Sequence, residues 1–143
     1  MILIDVNVLV YAHREDTDRH NEYRGWLEAL WSSSEPYGVS DPVLSGCLRI
    51  LTHPKVFDPL SPGETALAFV ESVTRHENAV KIVPGRRHWE IFVGLVRRVS
   101  ARGNTIPDAY LAALAIESGS EFVTTDRGFA QFPDLRWRHP LER

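Results

Sequence analysis

Short apolar runs alternate with longer amphipathic stretches along this chain, and that alternation constrains the fold more than any other feature. MILI (1–4), YGVS (37–40), AVKIV (79–83) and EFVTTD (121–126) read as strands, and LRWRHPL (135–141) as a last short edge strand. HNEYRGWLEALW places Tyr23, Trp26, Leu27, Leu30 and Trp31 on one helical face. PVLSGCLRILT does the same with Val43, Leu44, Cys47, Leu48 and Leu51. SPGETALAFVESVTRH opens as a capping box, with Ser61 at N-cap, Pro62 at N1 and Glu64 at N3. HWEIFVGLVRRVSARG is a helix expected to stop at Gly103, and IPDAYLAALAIESG one entered through Pro107 and closed by Gly119. Strands alternating with helices imply an α/β fold with a parallel sheet covered on both faces. The 143 residues suit one domain, 1–143, and no repeat or linker interrupts them.

Apolar content of 43% and charged content of 24% are those of a soluble globular protein. No apolar run approaches the ~18 residues that span a bilayer, and MILIDVN lacks the basic start of a signal peptide, so a cytoplasmic location is expected. The single cysteine, Cys47, excludes an internal disulfide and reads as core filler on an apolar helix face. A net charge of −3 does not announce bulk nucleic-acid binding. The six histidines show no zinc-like pairing, and Gly38, Gly46, Gly63 and Gly85 are too isolated for a phosphate-binding loop. REDTDRH reads as a surface loop, with His13 and Arg14 either part of it or placed to touch RNA.

The acids carry more. Asp5 ends the first strand, where a carboxylate beside a core is costly unless something pairs with it. Asp126 follows EFVTT, and Asp108 follows Pro107 at the start of a helix. Each has a local reading: Asp5 accepting backbone N–H groups, Asp108 favouring a helix dipole, Asp126 capping the RGFAQF turn. Together, two strand ends and a helix start can face one rim of the sheet, beyond the carboxyl ends of the strands. Clustered carboxylates repel unless a cation joins them. An all-oxygen set of Asp5, Asp108 and Asp126, supported by Asn7 and Thr124, suits Mg²⁺ or Mn²⁺. Such an ion activates water and holds a phosphodiester for attack.

ILIDVNVLVYA, IPDAYLAALAIESG and EFVTTDRGFAQF resemble three motifs of the PIN-domain ribonucleases, most of all the VapC toxins of bacterial toxin–antitoxin pairs. SDPVLSGCLRILTHPKVF resembles the helix and turn of one VapC subgroup. The resemblance implies a three-layer α/β/α sandwich with a central parallel β-sheet and an endoribonuclease dependent on Mg²⁺ or Mn²⁺. It also implies a homodimer, transfer or ribosomal RNA as substrate, and a VapB-type antitoxin as inhibitor. Asp5 matches the first family acid, Asn7 the small polar residue after it, Asp108 the acid before the AYLAALA helix, and Thr124 and Asp126 the Thr-x-Asp motif. The family's usual helical Glu is replaced by Gly46, and Asp41 lies five residues too early to stand in for it, which leaves one metal or two open. Gly46 is expected on a roomy helix surface. Arg14 and Arg127 are expected near the rim, where acidic groups of an antitoxin could meet them.

Two other readings compete. Haloacid-dehalogenase-type phosphatases also end the first strand with an Asp, used as a nucleophile. They want an acid where Asn7 stands and a lysine nearby, and Lys55 in a loop and Lys81 in a strand do not suggest one. A catalytically weakened PIN-like module would bind RNA or protein without cutting.

Overall fold

The computed structural model describes residues 1–142; Arg143, the end of the expected domain, lies outside the described residues. Five short strands pair in parallel in one sheet: β1 (Ile2–Ile4), β2 (Tyr37–Val39), β3 (Ala79–Lys81), β4 (Glu121–Val123) and β5 (Trp137–Arg138). Their order is β3-β2-β1-β4-β5. The helices are α1 (Val6–His13), α2 (His20–Ser32), α3 (Asp41–Leu51), α4 (Gly63–Arg75), α5 (His88–Val99) and α6 (Thr105–Ser118). From β1 the chain steps outward to β2 and β3, then crosses back over β1 to β4. Right-handed crossovers therefore put α1–α4 on one face and α5–α6 on the other. Packing agrees: α1 meets α2 and α3, α3 meets α4, and α5 pairs with α6. The result is the expected α/β/α sandwich.

The central strands β1, β2 and β4 are largely apolar because both faces are covered, while the edge strands β3 and β5 are partly exposed. Leu3, Ile4, Tyr37, Phe122 and Val123 are fully buried. The Tyr37 hydroxyl is satisfied inside: it donates to the Val73 carbonyl at 2.6 Å and accepts from Trp31 Nε1 at 3.1 Å.

Three boundaries depart from expectation. The capping box at α4 does not form. Pro62 takes the N-cap position, while the Ser61 hydroxyl accepts from the Arg14 guanidinium at 3.2 Å and the Ser61 N–H donates to the Leu51 carbonyl. Helix α5 stops at Val99 rather than Gly103, because Ser100 turns left-handed at φ 51° and closes the helix itself. Helix α6 begins at Thr105, so Pro107 falls inside its first turn, where the missing N–H costs nothing. It closes at Gly119, φ 68°, as expected.

Candidate functional site

The chain turns in opposite directions after β1 and β4, so the crevice between their carboxyl ends is the switch point of the sheet. Pairing sets Ile4 opposite Val123, and the Asp5 N–H extends the ladder to the Val123 carbonyl at 3.0 Å. Asp5 and Thr124 are thus the next rung. The Thr124 hydroxyl, fully buried, donates to Asp5 Oδ2 at 2.6 Å and accepts from the Asp126 N–H at 3.0 Å. Asp5 Oδ1 accepts from the Val6 N–H at 2.7 Å, which makes Asp5 the N-cap of α1. Asp126 Oδ1 accepts from the Gly128 N–H at 2.8 Å and caps a short 3₁₀-helix, Arg127–Gln131. The local readings of Asp5 and Asp126 are therefore true, and they coexist with a shared chain of hydrogen bonds, Asp126 to Thr124 to Asp5.

Asp5, Asn7, Asp108 and Asp126 line one cavity of about 610 Å³, with Gly46 and Arg49 of α3 across from them. Phe92, Tyr110 and Phe129 give it an apolar wall. Thr124 lies beneath, holding the floor. Asp108, in the first turn of α6, makes no side-chain hydrogen bond among the described residues. Its carboxyl is pushed up to about 6 by partial burial and then by the negative charges of Asp126 and Asp5. Burial also raises the Asp5 carboxyl. Its two hydrogen bonds only partly offset that, and Asp126 adds to it.

Among the described residues, no three His, Cys, Asp or Glu side chains close into a ready-made metal cage. The donor chemistry nonetheless fits a hard divalent cation. The donors are all oxygen, the carboxylates carry uncompensated charge, and Mg²⁺ takes one or two carboxylates while keeping several waters.

Other expected residues fall elsewhere. Asp41 is outside the cavity and pairs with Lys81 at 3.1 Å. His13 ends α1 stacked on Phe69, with centroids 4.5 Å apart. Arg14 opens the loop between α1 and α2, as expected, and does not line the cavity at the rim. It grips Asp16 at 2.5 Å and the Pro59 carbonyl at 2.9 Å, and it covers the Phe57 ring at 4.2 Å. Arg127 pairs with Glu142. Cys47 is buried, its thiol pushed up to about 12, as suits core filler. Gly46 faces the cavity but not roomily: a Cβ there would sit 3.2 Å from Val6 Cγ2. The sequence reading passed over Arg49. The available signal was its spacing, three residues after Gly46 on the same helical face.

The PIN domain family matches residues 2–135. The chain is 48% identical over 143 residues to VapC ribonuclease Mb2897 of Mycobacterium bovis, covering 99% of this chain and 97% of that protein. It is 39% identical over 140 residues to ribonuclease VapC25 of Mycobacterium tuberculosis, covering 98% and 99%. Among solved structures, VapBC2 from Rickettsia felis bound to a promoter DNA fragment superposes with TM-score 0.70 at 19% identity, covering 97% of this chain and 98% of that one. VapC20 of Mycobacterium tuberculosis, described as a sarcin–ricin loop cleaving toxin, does so with TM-score 0.66 at 15% identity, covering 95% and 99%. With three acids lining one cavity at the switch point of the sheet, a family model matching residues 2–135 and relatives alike along nearly their whole length, this chain belongs to the PIN domain family, among its VapC ribonucleases.

Proposed function

We propose that this chain acts as a single-domain, divalent-metal-dependent endoribonuclease, the toxin of a toxin–antitoxin pair, with Asp5, Asp108 and Asp126 as its catalytic, metal-holding carboxylates. One observation carries the reading: these three, with Asn7, line one cavity at the sheet's switch point and form no ion pair among the described residues. Mg²⁺ or Mn²⁺ bound there would supply an activated water and charge stabilisation at the phosphate.

The chain's own groups do the positioning. The Val6 N–H and the Thr124 hydroxyl fix both oxygens of Asp5 in one orientation. Asp108 offers a carboxylate with no competing hydrogen bond. Asn7 adds a neutral amide that can donate to a phosphate oxygen or a water.

The RNA class we favour is transfer or ribosomal RNA. The partners we favour are a VapB-type antitoxin, as in the VapBC structures, and a second copy of the chain. No helix among the described residues is long and apolar enough to cross a membrane, in keeping with a cytoplasmic site of action. The phosphatase reading lacks its lysine: neither Lys55 nor Lys81 lines the cavity, and Lys81 is paired with Asp41.

The deciding experiment is cleavage of bulk RNA with Mg²⁺ or Mn²⁺ by the parent and by Asp5→Asn. The amide keeps the shape but loses the charge. We expect cleavage to fall on the order of a thousandfold, ~4 kcal/mol of transition-state stabilisation. Equal activity would sink the metal-nuclease reading. A parent that binds RNA and cuts none would favour the weakened module.

A further inference from the structure

We propose that Arg49 is the phosphate-holding residue of this site, its guanidinium gripping the non-bridging oxygens of an RNA phosphodiester as the strand enters the cavity. The proposal rests on the ribonuclease reading above.

The cavity presents three carboxylates to a polyanion, and RNA is repelled by them until something offsets their charge. Arg49 is the one cationic side chain among the lining residues. It is exposed on α3 and forms no ion pair or side-chain hydrogen bond among the described residues. Arg86, Arg87, Arg97 and Arg102 also show no side-chain partner among the described residues, but none of them lines this cavity, and several other arginines are engaged. Arg14 is locked to Asp16, Arg19 to Glu22, Arg24 to Glu28, and Arg138 to Glu121. A guanidinium left without a partner beside three acids is available to a ligand, and its planar fork fits two phosphate oxygens at once.

Gly46 contributes by what it lacks. It stands one turn before Arg49 on the cavity face. A glutamate at 46 would sit at i,i−3 to Arg49, the spacing at which a carboxylate captures a guanidinium on a helix. With no side chain at 46, the guanidinium stays free. The substitution that removes a family acid thus leaves a cation available on the same helical face.

The test is binding of a labelled single-stranded RNA oligonucleotide in the Asp5→Asn background, titrated from about 50 to about 200 mM salt. Arg49→Gln should weaken binding about tenfold and reduce the log K against log salt slope by about 0.7, the signature of one lost phosphate contact to a single strand. Arg49→Lys, which keeps the charge and loses the fork, should restore most of the slope. In the active background it should recover only part of kcat/KM. Because Arg49 is exposed, thermal unfolding of all three proteins should coincide. An unchanged slope in Arg49→Gln overturns the proposal. Tighter Mg²⁺ binding with an unchanged slope overturns it too, and reassigns Arg49 to balancing the acids. A parent that cuts RNA while Arg49→Gln keeps its affinity and slope defeats this inference alone. A parent that neither cuts nor binds RNA defeats the reading beneath it as well.

Discussion

Two of the cavities among the described residues lie at opposite ends of the strands and are similar in size, and they differ in what their charges do. The one at the amino ends, about 680 Å³, is lined by Met1, Ile2, Glu121, Arg136 and Arg138 among others. Its arginines are engaged: Arg138 Nε donates to Glu121 at 2.8 Å, and Arg136 donates to the Gly119 carbonyl at 2.8 Å. At the carboxyl ends, in about 610 Å³, three carboxylates line one cavity and the one arginine there forms no ion pair with them. In the larger hollow both arginines are held, although Glu35 has no side-chain partner; in the smaller one neither the arginine nor any of the three acids forms an ion pair among the described residues. Concavity alone therefore does not mark the site. Charge that the fold leaves uncompensated does, because keeping it costs stability and only a ligand returns that cost.

The sharpest break of this comparison is Asp108→Asn. Cleavage should fall a hundredfold or more, ~3 kcal/mol or above. The metal-free protein should become more stable at the same time. The sign follows from the raised carboxyl of Asp108, about 6 when folded against an ordinary value of 3.8. Between those values the folded state holds more protons, so stability falls as pH rises through them, and above pH 6 the full penalty is present. Replacing Asp108 by a neutral amide removes it. Since the group is half-exposed, solvent screening limits the gain to about 0.5–1 kcal/mol. Thermal unfolding in chelator should show the variant ahead at pH 7.5, with the difference closing near pH 4. A variant less stable than the parent at pH 7.5 would mean that the three charges are not in conflict.

A smaller effect is expected beneath the cavity. Thr124→Val keeps the shape but removes the donor to Asp5 and the acceptor of the Asp126 N–H. Each orphaned buried group costs about 1–3 kcal/mol. Asp5, free to rotate, should lower kcat about tenfold, ~1.4 kcal/mol, with little change in KM. Thr124→Ser should rescue both stability and rate. A Ser variant as poor as Val would show that the methyl group, and not the hydroxyl, is what the floor needs.

What was legible in the sequence and what was not divide along physical lines. The strands, five of the helices and the three acids could be read because each shows in local pattern: apolar runs, one-sided stripes, carboxylates at strand ends. Helix α1 could not. VNVLVYAH buries Val8, Leu9, Val10 and Ala12 and is apolar nearly all round, so it shows no stripe, and its valines favour a strand. The failed capping box at Ser61 has a tertiary cause: Arg14, far away in sequence, holds the hydroxyl. Thr124 was nameable as a helper, but its bond to Asp5 depends on the β1–β4 register, which no local pattern contains. Arg49 shows nothing in the sequence beyond its spacing from Gly46, for a similar reason. An arginine on a helix means little until the fold shows that no acid claims it.

The smallest effect expected belongs to the other cavity, and it tests whether the two ends truly differ. Glu121→Gln breaks the pair with Arg138, whose side chains are 34% and 40% exposed. An ion pair this open is worth about 0–1 kcal/mol, because water screens the charges and both side chains lose rotamer freedom in pairing. Thermal unfolding should shift by only about 1–2 °C, and the shift should shrink in high salt. Cleavage should change less than twofold, since nothing at the amino ends of the strands reaches the carboxylates. Removing the Glu121 carboxylate also moves the net charge from −3 toward zero. Weak, salt-sensitive RNA binding should therefore rise slightly, opposite in sign to the loss expected for Arg49→Gln. A tenfold fall in cleavage with unfolding unchanged would place the amino-end cavity on the path of the RNA and erase the distinction between the two ends.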